Sequence, residues 1–185
     1  MKFATKSMAV LVFVIGSSPG LAASKFKKSL FTQAPLKKQN QYISDGVVLG
    51  GKISEGFTLL KVRRGLSNKS KMERVVLDIG DLVGKPVKNQ MAYHHINIDG
   101  KRNRLVVELN QVARSGVDQA ELKKMFRESP YVGSADIIFD PEDLTTSLIL
   151  NFKRKTKVEV FNQISPDQPS RIVIDMMMRK PKKSS

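Results

Sequence analysis

From Gly46 onward, short runs of aliphatic residues alternate with polar positions, the period of a chain whose side chains point to opposite faces in turn. Gly56–Val62 (GFTLLKV) and Arg74–Ile79 (RVVLDI) predict two strands around a polar loop at Arg63–Met72. Tyr93–Ile98 and Arg104–Leu109 flank Asp99-Gly100, a hairpin signal. Ala135–Phe139 and Leu148–Phe152 flank a turn at Asp140–Asp143, and Lys157–Phe161 and Arg171–Met176 flank a loop with Pro166 and Pro169. One stretch changes period. Asp118-Gln119-Ala120-Glu121 is a capping box, Leu122, Met125 and Phe126 follow at helical spacing, and Pro130 closes it, which predicts one helix over 119–128. Seven or eight strands and one short helix predict a mainly β fold, a β-sandwich of two packed antiparallel sheets. Crossover helices for a parallel sheet are missing.

One strand pattern is written three times: Arg74–Asp78 (RVVLD), Arg104–Glu108 (RLVVE) and Arg171–Asp175 (RIVID). Alternation puts Arg, the central Val and the acid on one face and the two aliphatics on the other. The aliphatics belong to the core. Two readings stand for Arg74, Asp78, Arg104, Glu108, Arg171 and Asp175. They form ordinary cross-strand ion pairs, worth roughly 0–1 kcal/mol each where exposed, or a recognition face for a polymer rich in carboxylates and hydroxyls, which arginine binds in bidentate fashion.

Charge adds a second kind of candidate. The chain has 32 basic and 17 acidic residues, net +15. Of this, +2 lies in residues 1–23, +5 in 24–44 and +4 in 179–185, which leaves +4 for 45–178. The segments 24–44 and 179–185 read as a basic flexible linker and a basic tail, suited to unspecific polyanion binding. Within the domain the basic clusters are Lys153-Arg154-Lys155, Lys101-Arg102 with Arg104, and Arg63-Arg64. If their turns meet at one end of the sandwich they make a cationic rim, with Lys153 and Arg154 as its candidate ligand-binding residues.

Residues 1–23 have the layout of a secretory signal peptide: Lys2 and Lys6, the apolar run Met8–Ile15, and Leu21-Ala22-Ala23 for cleavage. Eight apolar residues reach roughly 12 Å as a helix against a hydrocarbon core of about 30 Å. The expectation is a cleaved signal, an exported and periplasmic product, and no membrane span in the mature protein.

The stretch Lys157–Met176 (KVEVFNQISPDQPSRIVIDM) resembles the closing part of AMIN domains, with Pro169, Arg171, Ile172, Val173, Ile174 and Asp175 at matching positions. The Leu148–Phe152 strand fits that pattern, and Phe57–Asp78 resembles a diverged copy in which Met72 stands where the proline would be. The resemblance implies a non-catalytic periplasmic β-sandwich at 45–178, the kind of module carried by N-acetylmuramoyl-L-alanine amidases and pilus secretins, that binds peptidoglycan or is placed at cell-wall machinery. No amidase or secretin pattern follows in this sequence, and the helix near 119–128 is an insertion, so the domain's own partner is expected to be its function.

The chemistry present points the same way. With no Cys there is no disulfide framework, thiolate metal site or cysteine nucleophile. The two histidines, His94 and His95, are neighbours on a strand and face opposite sides. Asp140, Glu142 and Asp143 beside Pro141 read as a turn. No phosphate-loop spacing occurs. No Trp and few aromatics argue against a sugar- or base-stacking surface. The expectation is a non-enzymatic protein with no cofactor or metal and no specific nucleic-acid partner, one that binds peptidoglycan or another anionic envelope polymer. The rival expectation is a partner of a pilus, secretion or outer-membrane assembly, docked by strand addition.

Overall fold

The computed structural model describes residues 31–53, 56–67 and 71–178. The expected signal peptide, the start of the expected linker and the basic tail 179–185 lie outside the described residues. Eleven strands and one helix follow in the order β1 (Phe31–Gln33), β2 (Gly46–Gly50), β3 (Phe57–Ser67), β4 (Met72–Gly80), β5 (His94–Asp99), β6 (Arg104–Leu109), β7 (Val112–Ser115), α1 (Gln119–Phe126), β8 (Val132–Asp140), β9 (Thr145–Phe152), β10 (Thr156–Gln163) and β11 (Arg171–Met178). They form two packed sheets, β1-β2-β5-β6-β9-β8 and β10-β11-β4-β3-β7. Pairing is antiparallel except for β1 with β2 and β3 with β7. Among the described residues the fold is therefore a β-sandwich with a single short helix.

Alternation supplies the core. Val75, Leu77 and Ile79 of β4 meet Leu105, Val107 and Leu109 of β6 and Ile172 and Ile174 of β11 in one apolar cluster between the sheets. Each such side chain contributes roughly 1.5–3 kcal/mol by leaving water. The centre of each sheet is built alike. Hairpins β3–β4 and β10–β11 meet through β4 and β11, and hairpins β5–β6 and β8–β9 meet through β6 and β9.

The helix starts where the capping box places it. The Asp118 side chain accepts a hydrogen bond from the Glu121 backbone N–H at 2.9 Å, and Leu122 and Phe126 are buried. It ends at Phe126, two residues sooner than expected, with Ser129 N–H bonded to the Phe126 carbonyl.

Three elements differ from the sequence reading. Arg63–Met72 is not a loop throughout: β3 runs on to Ser67, in register with β4 as far as Ser67 opposite Met72. Its polarity comes in part from Arg63 and Arg64, which find ion partners on opposite faces of the sheet rather than in a turn. The strand count is higher because β1, β2 and β7 are short or sit in a basic context. Residues 31–44 are tied down. Ala34 N–H bonds the Leu49 carbonyl, Asn162 N–H bonds the Pro35 carbonyl, and Ile43 and Val158 exchange both backbone bonds. Residues 34–43 thus form a strap from the first sheet's β1 edge to the second sheet's β10 edge, and its Lys38 serves an internal carboxylate.

Candidate functional site

On the second sheet, two copies of the repeated pattern lie side by side and antiparallel. Arg171 stands opposite Asp78, Val173 opposite Val76 and Asp175 opposite Arg74. The pattern is complementary to itself in this register, so each arginine faces the other strand's acid. Arg74 grips Asp175 with Nε at 2.6 Å and Nη2 at 2.8 Å. Arg63 grips Asp78 with Nε at 2.6 Å and Nη2 at 2.7 Å, and Arg171 Nε lies 3.2 Å from the same carboxylate. Lys38 of the strap adds an ammonium 2.6 Å from Asp175.

Asp175 is 0% exposed. Burial would raise its pKa, but the hydrogen bonds from Arg74 and Lys38 outweigh that and hold its carboxyl below the usual range. The Asp175 bond in turn raises the Arg74 guanidinium. Arg74 also lies 5.6 Å from the Phe161 ring centroid. Glu159 accepts from the backbone N–H groups of Gln39 and Gln41 in the strap. Arg64, read from sequence as a rim cation, instead bonds Glu73 at 2.5 Å, while Ser129 donates to the other Glu73 oxygen at 2.7 Å. The outer face of this sheet is thus an internal ion-pair lattice partly under the strap, and Arg63 belongs to it, whereas Arg64 and Glu73 pair on the core-facing side beside the end of the helix.

The third copy sits in a different environment. β6 pairs with β9, which sets Asn151 opposite Arg104 and Ser147 opposite Glu108. No motif acid faces Arg104. Among the described residues its guanidinium has no ion-pair partner within 4.0 Å, and its Nε has no acceptor. Glu108 instead meets His95 Nδ1 at 2.7 Å. Arg104 and Glu108 line an open trough of about 430 Å³ on the outer face of the first sheet, with Val106, Ile138 and Ser147. The six pattern residues therefore split between two sheets and form no single row. His94 and His95 do face opposite sides, the first buried and the second half-buried.

The hairpin ends meet. The Asp99 carboxylate accepts from the backbone N–H groups of Arg102 and Lys101, which closes the β5–β6 turn and holds its pKa below the usual range. Gly100 allows close approach of the Ser44 carbonyl, which would lie 2.2 Å from any Cβ placed there. Phe152 N–H bonds the Asn103 carbonyl at 2.7 Å, which joins the β5–β6 turn to the β9–β10 turn. A recess of about 220 Å³ lies between them, lined by Asp99, Lys101 and Lys155 among others. Lys153 donates to the Ser129 carbonyl at 2.6 Å, and Arg154 reaches the Met178 sulfur. The Tyr131 hydroxyl donates to the Lys71 carbonyl, which brings the start of β4 to the same end. Lys71, Lys101, Arg102, Lys153, Arg154 and Lys155 are all exposed there. Four further cations follow Met178 in the sequence.

Sequence reasoning missed Lys38, Glu159 and Lys71. The first two matter only because a strap crosses β10 from more than 100 residues away, a contact no local pattern announces. Asp140 and Asp143 close the β8–β9 turn by accepting from Glu142 and Thr145 backbone N–H groups. Among the described residues no three His, Asp or Glu side chains gather as a metal site. No helix among them is long and apolar enough to cross a membrane. No protein-family model and no curated protein matches this chain.

Proposed function

We propose that this protein is an exported, non-catalytic, AMIN-like module of the bacterial cell envelope that binds peptidoglycan or a similar anionic envelope polymer through one end of the sandwich. The observation that carries this reading is the gathering of six exposed cations from three separate turns beside Arg104, the one pattern arginine that closes no ion pair within 4.0 Å among the described residues. A carboxylate on a stem peptide suits that arrangement, since a planar guanidinium can take it in bidentate fashion. The signal-like start and the AMIN resemblance supply the compartment and the class of polymer.

The test is a pull-down of the full chain with purified sacculi across a salt series. The triple variant Lys153→Glu, Arg154→Glu, Lys155→Glu is expected to lose at least tenfold in bound fraction at low salt, with its melting temperature little changed. Native protein that stays in the supernatant at every salt concentration would sink the proposal. Retention that vanishes only when 179–185 is removed would assign binding to the tail.

A second reading rests on β8. It is a sheet edge whose Ala135 carbonyl and Ile137 N–H are already bonded by the Gln119 side chain, and beyond them Ile138 and Phe139 stand exposed. An exposed apolar edge suits strand addition by an envelope partner. Crosslinking from position 139 into one defined protein, without sacculus retention, would favour it.

A further inference from the structure

Where the strap leaves β1, the protein holds a cavity of about 450 Å³, within the range of small-molecule sites. Its walls are largely apolar. Phe57 and Met91 are buried, Ile164 packs partly against the core, and Leu36 and Ile53 stand 63% and 80% exposed. Two exposed aliphatics around an apolar hollow have no packing role in the described fold.

The polar groups here are unusual. Asn162 of β10 lines the cavity, is 2% exposed, and its Oδ1 meets no donor. His94 of β5 comes up from the opposite sheet, fully buried. Its Nδ1 is 2.9 Å from the Ala92 carbonyl, which can only accept, so Nδ1 carries the proton and Nε2 is a bare acceptor. No donor meets Nε2 either. Gly50 keeps the junction open: a Cβ there would lie 2.4 Å from His94 Nε2 and 2.8 Å from Asn162 Nδ2. Each buried acceptor without a donor costs on the order of 1–3 kcal/mol. An apolar residue at 162 would remove that penalty for one of them.

We infer that this cavity is a binding site for a small apolar molecule ending in a hydroxyl, a phenol or an alkanol, whose O–H donates to Asn162 Oδ1 while its body lies against Phe57, Met91 and Ile164. The chemistry follows from the lining. A carboxylate would set lone pair against lone pair at Oδ1, and the one cation of the lining, Lys52, is solvent-exposed and keeps its charge in water. An ammonium would be stripped of water with no carboxylate lining the cavity to receive it. A neutral donor on an apolar body satisfies both the acceptor and the walls. The site lies apart from the cationic end and stands whether or not that end binds a polymer.

The experiment titrates the full chain with p-cresol, 1-hexanol and toluene and follows the methyl resonances of Met91 and Ile164. Saturable shifts are expected with p-cresol or 1-hexanol, with toluene at least tenfold weaker. A stronger response to p-cresol assigns a site for flat rings, and a stronger response to 1-hexanol one for alkyl chains. Asn162→Leu is expected to erase the preference for the hydroxyl while retaining toluene, its fold checked by unchanged Val75 and Leu150 methyls. No saturable shift with either alcohol, or equal binding of toluene and p-cresol by the native chain, overturns the inference and leaves the two acceptors to bound water. The contrast within the native chain decides even where the variant does not fold.

Discussion

Two arginines in the same five-residue pattern carry different burdens. Arg74 neutralises a carboxylate with no access to water, whereas Arg104, opposite the partly exposed Asp99, closes no ion pair within 4.0 Å among the described residues. Replacing Arg74 by Met is expected to cost about 2 kcal/mol, less than a fully buried pair would lose because Lys38 still faces Asp175. Arg104→Met is expected to stay within about 0.5 kcal/mol of the native protein. Urea midpoints separate the two, and equal losses would show that the copies are equivalent. Acid acts on this protein in two windows. Burial lowers the His94 pKa from 6.5 to about 4, so the unfolded chain takes up that proton first as pH falls. Stability then declines from about pH 6.5 to about 4, by up to roughly 3 kcal/mol. Asp175 works lower. Its folded pKa lies below 3.8, so its contribution is intact above that value and disappears as pH falls through the folded one. A His94→Gln variant is expected to lose the first decline and keep the second. An unchanged profile between pH 6.5 and 4 would remove His94 from this account. The sequence told which face each of these side chains takes, because alternation is local. It could not tell which acids end up without water, because what covers them comes from distant parts of the chain.

At the scale of elements, the hairpins and the helix were legible because their signals are short-range: a turn residue between aliphatic runs, or a cap ahead of a helical stripe. β1, β2 and β7 were not. A strand of three to five residues is defined by its neighbour, and β1 and β7 pair in parallel with strands that no tight turn connects to them. The same holds for residues 34–43, whose composition reads as a tail. Their anchors are the Ile43–Val158 bridge and Glu159, which holds the N–H groups of Gln39 and Gln41. Glu159→Ala is expected to speed hydrogen exchange at Gln39 and Gln41 at least tenfold and to leave the core amides of β4 and β6 unchanged. Equal rates in both chains would mean that the backbone bridge alone holds the strap.

Across the whole molecule, charge is sorted. The second sheet's outer face pairs its own ions, the first sheet's trough mixes Arg104 with Glu108, Asp140 and Asp143, and the exposed cations collect at one end. The sequence suggested the clusters but not their meeting, which depends on how two hairpins from different parts of the chain align. Polymer binding at such an end releases counterions, so bound fraction is expected to fall steeply with salt, and the triple charge reversal is expected to flatten that slope as well as lower it. A slope that is the same in both chains would place the contact elsewhere.

The seam between β4 and β11 also governs when this protein can become itself. Residues about 100 positions apart lie side by side at the middle of the second sheet, and the strap near residue 43 waits for residue 158. Until the last hairpin has been made, β4 has an open flank and the N-terminal strap has nothing to close on. Folding is therefore a late, concerted event with a large loop-closure cost, slow relative to a helical protein of this length. A chain halted before residue 171 would hold most of its apolar strands and none of the partner that shields β4, which makes the interval before completion the period of greatest vulnerability to aggregation and proteolysis.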